Sequence, residues 1–512
     1  MAPAAGSPAA DPLSRGVAID PETLGTTNDF ADWLSPMMVK ELRQGLRSKS
    51  FTGFFILTQV LMIIGTFIAV GSAEIGVSDS MGPLFIGFLA IALLLVLPMR
   101  GFQAIPTEAA DNTLDLLVLT RLQSLRIVVG KWIAIVAQSI LAVVSVLPYI
   151  LMRYFIGGVD LISELSIIAI LLFLSAVIAA IAVGFSATSR STNKRGSGIL
   201  ITLFVFFGIS GVFNTLGLAG PAYSMFGFGL GETVGMVAVL FAVGGYLAYY
   251  FLDMGAGRMA PEAENHSTRK RLISLGIAAI LVILVGLDVG DADSLWMSLL
   301  IGVLGLSCVD ALTERASTVR SIFVPFAKRK MSFAAYFLAP GWHTGILYYV
   351  ICYLLFAVAA ILIAFDGASL QTDDFLFAIT IIPAVIIFPV ALIQLIFRSK
   401  LDSFRIYLLI QLFSCGIAFV LFAISEAQDS PAPLFLGSLI PHCCVGLMSY
   451  ESSLETTACA IGGAVFLLCI AVILIRAAPL FKIISWHIKG AKAEQQLANS
   501  PIPTTTDETS AP

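Results

Sequence analysis

Residues 40–70 read KELRQGLRSKSFTGFFILTQVLMIIGTFIAV. Four basic residues and one acid stand directly against an uncharged apolar run that opens at Thr52. A secretory signal carries an apolar stretch of only about 7–15 residues. This run is longer and follows a MAPAAGSPAADPLSRG head, so it reads as a spanning helix behind a basic segment. Composition extends that reading to the whole chain: 58% of the 512 residues are hydrophobic and 12% charged, with a mean hydropathy of +0.95. Soluble domains carry about 25% charged residues. The expectation is an all-α polytopic membrane protein, and a net charge of −4 gives no electrostatic reason to expect a nucleic-acid partner.

A spanning helix needs about 20 mostly apolar residues. Twelve runs qualify, near 52–72, 82–100, 131–156, 163–188, 197–213, 233–252, 272–289, 293–312, 344–366, 375–397, 405–425 and 457–475. The stretch LFLGSLIPHCCVGLM (434–448) is shorter and carries Pro441 and His442. Lys and Arg accumulate on the cytoplasmic side of membranes. Twelve spans with both termini inside place 28 of the 29 Lys and Arg on that side, Arg153 alone excepted. A thirteenth span at 434–448 would move Arg476, Lys482, Lys489 and Lys492 outside, so this stretch reads as an external re-entrant dip.

The two sets of six spans share one plan, offset by about 210–220 residues. Each has a long loop after its second span (101–130, 313–343), and each has a Gly/Pro-bearing external segment before its sixth, TLGLAGPAYSMFGFGLG (215–231) and 434–448. An even number of spans per set makes the repeats parallel. Irregular backbone at membrane depth survives only inside protein or beside a cavity. The expected organisation is a disordered head (1–33), a first six-helix half (34–252), a cytoplasmic linker (253–271), a second half (272–475), and a cytoplasmic amphipathic segment with a disordered tail (476–512).

Within 36–51, Met38, Leu42 and Leu46 form one apolar stripe surrounded by Lys40, Arg43, Arg47 and Lys49. That pattern predicts a helix in the cytoplasmic interface, with its cations near anionic lipid headgroups; the plainer reading is an orienting flank. The loop PTEAADNTLDLLVLTRLQSLRIVVGKW (106–132) is the other distinctive cytoplasmic segment. Thr107 is placed to cap a helix with Glu108 and Asp111 in its first turn, where the dipole favours acids. An apolar core, LDLLVL, follows between Asp115 and Arg121. Apolar residues on such a loop need cover, from the other half's loop, the lipid interface or a soluble partner.

The basic helix, two spans, this loop and four further spans resemble the type-2 ABC transporter permeases. The resemblance is carried at the interfacial helix by Lys40, Glu41, Arg43 and Arg47. At the loop it is carried by Glu108, Thr113, Leu114, Asp115, Leu116, Leu117, Thr120 and Arg121, and at the start of the third span by Gly130 and Lys131. It implies a coupling helix, spanning 106–131 with Asp111, that docks on a separate ATPase subunit, itself a dimer binding ATP and Mg. It also implies an exporter in a bacterial inner membrane. The second loop, TERASTVRSIFVPFAKRKMSFAAYFLAPGW (313–342), has no TLDLL element. No G-x-x-x-x-G-K-[ST] loop occurs in the sequence, so ATP belongs to the partner and this chain needs no cofactor. HExxH, paired CxxC and GxSxG are also missing, which argues against an enzyme. His442, Cys443 and Cys444 lack the spacing of a ligand set and read as packing. Arg153 and Asp310 lie near span ends, and Gln59, Gln138, Gln394 and Gln411 are placed to hydrogen-bond between helices. Two alternatives remain open: a secondary transporter of 6 + 6 plan, and a non-transporting scaffold that recruits a cytoplasmic protein.

Overall fold

The computed structural model describes residues 36–73, 82–105, 123–156, 161–187, 230–261, 264–287, 293–316, 319–328, 331–365, 372–396, 403–450 and 452–499. Among these residues no strand occurs, and ten helices are long and apolar enough to cross a membrane. The chain is an integral membrane protein. Of the twelve expected spans, 197–213 lies outside the described residues. The span expected at 272–289 belongs to a 20-residue helix, Ser267–Gly286, whose first turns carry Arg269, Lys270 and Arg271.

The residues expected as the first half, so called below, contain α1 (Pro36–Leu46), α2 (Lys49–Ala73), α3 (Gly82–Ala90), α4 (Ser124–Ile156), α5 (Leu161–Ser186) and α6 (Leu230–Met259). The expected single helix 36–51 is in fact two. Ser48 breaks it: its hydroxyl donates to the Gly45 carbonyl at 2.8 Å and accepts the Phe51 N–H at 3.3 Å, capping α2. Lys49 therefore starts the spanning helix rather than ending the interfacial one. Helix α3 continues through a π-helical stretch, Ile91–Val96, and a 3-10 turn, Arg100–Gln103. Pro98 lacks the N–H that an α-helix would offer to the carbonyl of Leu94, and a π segment is one way to absorb that gap.

The second half contains α7 (Ser267–Gly286), α8 (Asp293–Thr313), α9 (Trp342–Phe365), α10 (Thr372–Ile396), α11 (Ser403–Gln428), α12 (Pro441–Tyr450) and α13 (Glu455–Asn499). Pro383 and Pro389 lie inside α10. A proline strands the carbonyl four residues earlier; for Pro383 this is Ile379, whose oxygen accepts the Tyr353 hydroxyl at 3.2 Å. The stretch 434–448 is broken into a short helix, Ala432–Leu436, and α12. At 1.5 Å per residue the 10-residue α12 is about 15 Å long, half a bilayer core. Its Cys443, Cys444 and Leu447 bury against Ala458 and Cys459 of α13.

The helix α13 runs unbroken for 45 residues, about 67 Å, where a span ending at 475 and a separate segment from 476 were expected. Its far end packs on the loop between α8 and α9, which contains a 3-10 turn (Arg320–Ile322) and two short helices (Val324–Lys328, Ala335–Leu338). Ile484 and Ile488 bury there with Ile322, Phe323, Phe326, Ala334, Ala335 and Leu338.

Helices α5 and α6 pack at backbone distance. A Cβ on Gly184 would lie 2.2 Å from the Phe251 carbonyl oxygen, so no side chain fits there. Trp132 Nε1 donates to the Ala176 carbonyl at 2.8 Å, tying α4 to α5. The halves meet where Val177, Ile181 and Phe185 of α5 and Phe251 and Met254 of α6 pack on Phe404 of α11. Exposed apolar residues such as Phe67 (74%), Phe413 (71%) and Leu467 (67%) are what a hydrocarbon solvent permits.

Candidate functional site: a buried charge cluster at the junction of the halves

The segment read as a linker, 253–271, is mostly helical: the end of α6, a turn, and the start of α7. Asn265 Oδ1 accepts the Thr268 N–H at 3.1 Å, closing the first turn of α7. The turn brings Arg269, Lys270 and Arg271 against Asp253 of α6, Asp310 of α8 and Glu314 just beyond α8. Lys270 Nζ donates to Asp310 of α8 at 2.5 Å, and Arg258 of α6 donates to the other oxygen at 3.3 Å. The Tyr250 hydroxyl reaches Asp310 at 3.2 Å. Asp310 thus joins the last helix of one half to the first helix of the other. Arg271 donates to Glu314 at 2.8 Å, to the carbonyls of Phe337 and Ala339 at 2.8 Å each, and to Thr344 Oγ1 at 3.0 Å.

Asp253 is fully buried and accepts from Arg269 and from His266 Nδ1 at 2.8 Å. On the other side of the ring, Nε2 lies 3.2 Å from Ser124 Oγ, the first residue of α4. This line of Ser124, His266 and Asp253 has the distances of a hydrolytic triad, but its proton inventory differs. A triad keeps Nε2 ready to take the serine proton. Here Glu264 Oε1 stands 3.2 Å from the same nitrogen, and Ser124 already donates to Glu264 Oε2 at 3.1 Å. The arrangement is a tie between the start of α4 and the turn joining the halves.

Taken together, Asp253, Glu264, Asp310 and Glu314 face Arg258, Arg269, Lys270 and Arg271. Removing one partner of a buried pair leaves an uncompensated charge, costing about 3–5 kcal/mol. Sequence reasoning missed this cluster because each charge has a plain reading: a positive flank at 269–271, a helix-end acid at 310. The available signal was the spacing, since Asp310 and Glu314 stand four residues apart at the end of α8 and neighbouring Lys270 and Arg271 supply matching cations.

Helix α1, expected in the membrane interface, packs against α4. Glu41 of α1 pairs with Lys131 of α4 at 3.1 Å, and Lys131 is buried. Arg100 donates to the Gly45 carbonyl at 3.1 Å, to Ser48 Oγ at 2.7 Å and to Gln138, pinning the α1–α2 corner. Lys40, Arg43 and Arg47 remain on the exposed side, lining a shallow cleft with Val39 and Gln44. The coupling-loop residues Glu108, Asp111, Thr113, Leu114, Asp115, Leu116, Leu117, Thr120 and Arg121 all lie outside the described residues.

His442, Cys443 and Cys444 sit in the hairpin before α13. Cys443 and Cys444 are buried among apolar side chains, a setting unlike the electropositive, partly exposed one in which a thiolate forms. His442 Nε2 meets Gln411 at 3.1 Å. Among the described residues no group of three or more His, Cys, Asp or Glu is arranged to hold a metal. A narrow apolar crevice of about 30 Å³ lies between α8, α9 and α10, lined by Leu304, Cys308, Tyr349, Cys352, Tyr353 and Phe356 among others. Comparison with protein-family models, with curated proteins and with solved structures finds no match for this chain.

Proposed function

We propose that this chain is the membrane-spanning permease subunit of an ATP-binding-cassette exporter, with two parallel six-helix halves fused and a separate dimeric ATPase supplying ATP and Mg. The carrying observation is a packing scheme that recurs. The fourth span of each half packs on the sixth, α5 on α6 and α10 on α13, and the third span, α4 or α9, adjoins the fourth. In the second half the stretch 434–448 precedes the sixth span as a helical hairpin, the form of a re-entrant segment. Both termini are cytoplasmic in this reading, in a bacterial inner membrane. The loop 106–122 is the lever between ATPase and helices, and its root at Ser124 is tied to the charge cluster between the halves.

The test is co-purification from native membranes in mild detergent. An ATP-hydrolysing subunit should accompany the chain, and its turnover should rise in the complex. A chain that purifies alone from membranes containing its neighbours' products would sink the reading. An ion-coupled transporter of the same plan is the second reading. It is favoured by Asp253, whose buried Oδ2 has no hydrogen-bond partner in the structure. Cargo movement driven by a proton gradient in vesicles without nucleotide would establish that alternative.

A further inference from the structure

The loop between α8 and α9 keeps two large apolar side chains out of its own packing: Met331 is 54% exposed and Phe333 79%. The backbone that carries them is a hydrogen-bonded turn. The Met331 N–H donates to the Phe326 carbonyl at 3.1 Å, the Ala334 N–H to the Met331 carbonyl at 3.0 Å, and the Tyr336 N–H to the Phe333 carbonyl at 3.1 Å. On either side of the turn, Phe326, Ala334 and Ala335 are buried with Ile484 and Ile488 of α13. The flanks are thus packed inward while Met331 and Phe333 are held outward. Apolar side chains presented in this way need a cover.

The place of the turn says what the cover is. The loop hangs from two spans, one ending at Thr313 and the other starting at Trp342, so both of its roots are at the membrane boundary. The Phe333 ring lies 5.9 Å from that of Phe337, edge to face. Phe337 packs on the loop's own core and also on the core of the spanning helices that holds Trp342 and Ile346. The headgroup layer on each side of a bilayer is about 5–8 Å deep, so a ring this close to the spanning helices falls within it. The Phe337 carbonyl accepts from Arg271, whose neighbour Leu272 on α7 is exposed, as is Ile283, three turns along on the same face. Charge agrees: Lys328, Arg329 and Lys330 directly precede Met331 in the sequence. Cations beside projecting apolar side chains fit the boundary between anionic headgroups and acyl chains.

We propose that Met331 and Phe333 form a wedge that enters the headgroup layer of the chain's own bilayer, so that lipid, and not another protein, covers this loop. Lipid then holds to the membrane surface the loop and the end of α13 packed on it. This requires only that the chain is an integral membrane protein and stands apart from the permease reading.

The test is a depth measurement on the full chain, with the exposed Cys415 changed to Ser. Phe333→Cys carries a bimane fluorophore, in nanodiscs of mixed phosphatidylcholine and phosphatidylglycerol. Quenchers are a phospholipid spin-labelled near its headgroup and aqueous iodide. Lys492→Cys, on the exposed side of α13, gives the reference for a label in water. Spin-labelled lipid should quench the label at 333 more strongly than the label at 492, and iodide should quench it several-fold less. Met331→Cys, which leaves the Phe333 ring in place, should give the same pattern, so loss of the ring does not decide the result. Iodide quenching at both positions equal to that at 492, with no added quenching by lipid, overturns the proposal. A thiol at 333 that is blocked to an impermeant maleimide in native inverted vesicles, yet whose label is open to iodide in the nanodiscs, also overturns it, because a protein is then the cover.

Discussion

The hydroxyl of Tyr353 does for the Ile379 carbonyl what the backbone at Pro383 cannot. A carbonyl stranded inside a membrane has no water to turn to. Tyr353→Phe keeps the ring and removes only the donor, and should lower stability by about 1–3 kcal/mol, read as a drop in unfolding temperature in detergent; no change would mean that another group serves that oxygen. At the same scale, Lys270→Met leaves Asp310 buried with a weaker set of partners and should cost about 3–5 kcal/mol. Adding Asp310→Asn to it should recover part of the loss, since the uncompensated charge is then gone. If the double variant is less stable than the single one, Asp310 has an essential role beyond this pair. Some single residues were readable without a structure. Gln59 donates to Ser145 at 2.7 Å, Gln138 accepts from Arg100, and Gln411 meets His442. A lone amide in an apolar run has few other options.

Among the elements, hydropathy marked the runs well because the solvent is hydrocarbon, and a spanning helix needs only length and apolarity. It could not mark the ends. The break at Ser48 depends on hydrogen bonds to Gly45 and Phe51, and the pattern of Met38, Leu42 and Leu46 continues past it. Arg476 and Pro479 look like the end of a span, yet α13 continues through both, because Ile484 and Ile488 have a buried surface waiting for them. The charge cluster was illegible for a related reason: burial of Lys270 and Asp310 depends on how α6, α7 and α8 converge. Two element-scale outcomes follow. Gly184→Leu has to force α5 and α6 apart at a contact with no clearance, so it should destabilise the first half and reduce its amount in the membrane; wild-type levels and stability would mean the crossing is looser than its geometry. Phe323→Asp buries a carboxylate beside His487 and should destabilise the second loop, read as a lower unfolding temperature in detergent than the parent's; an unchanged temperature would mean that the ring contact is not needed.

For the molecule as a whole, the orientation is testable. Lys492→Cys, at the exposed side of the last described turns, should label from the cytoplasmic face only; labelling from outside in intact cells would remove the twelve-span arrangement with both termini inside. The coupling proposal has its own variant. Leu116→Asp places an unpaired carboxylate at the proposed docking contact, where burial costs several kcal/mol, and every 1.4 kcal/mol is about tenfold in affinity. ATPase recruitment should therefore fall by about two orders of magnitude with the amount of protein in the membrane unchanged. Normal recruitment would show that the loop is not the lever.

The length of α13 has a mechanical side. One end is gripped by the hairpin of Cys443 and Leu447, and the other by the loop around Phe323. Ile381 of α10 presses beside the hairpin's grip, where a Cβ on Gly462 would come within 2.7 Å of its side chain. With both ends packed, the rod ties the loop around Phe323 to the segment before Glu455, so that displacing one end strains the packing at the other.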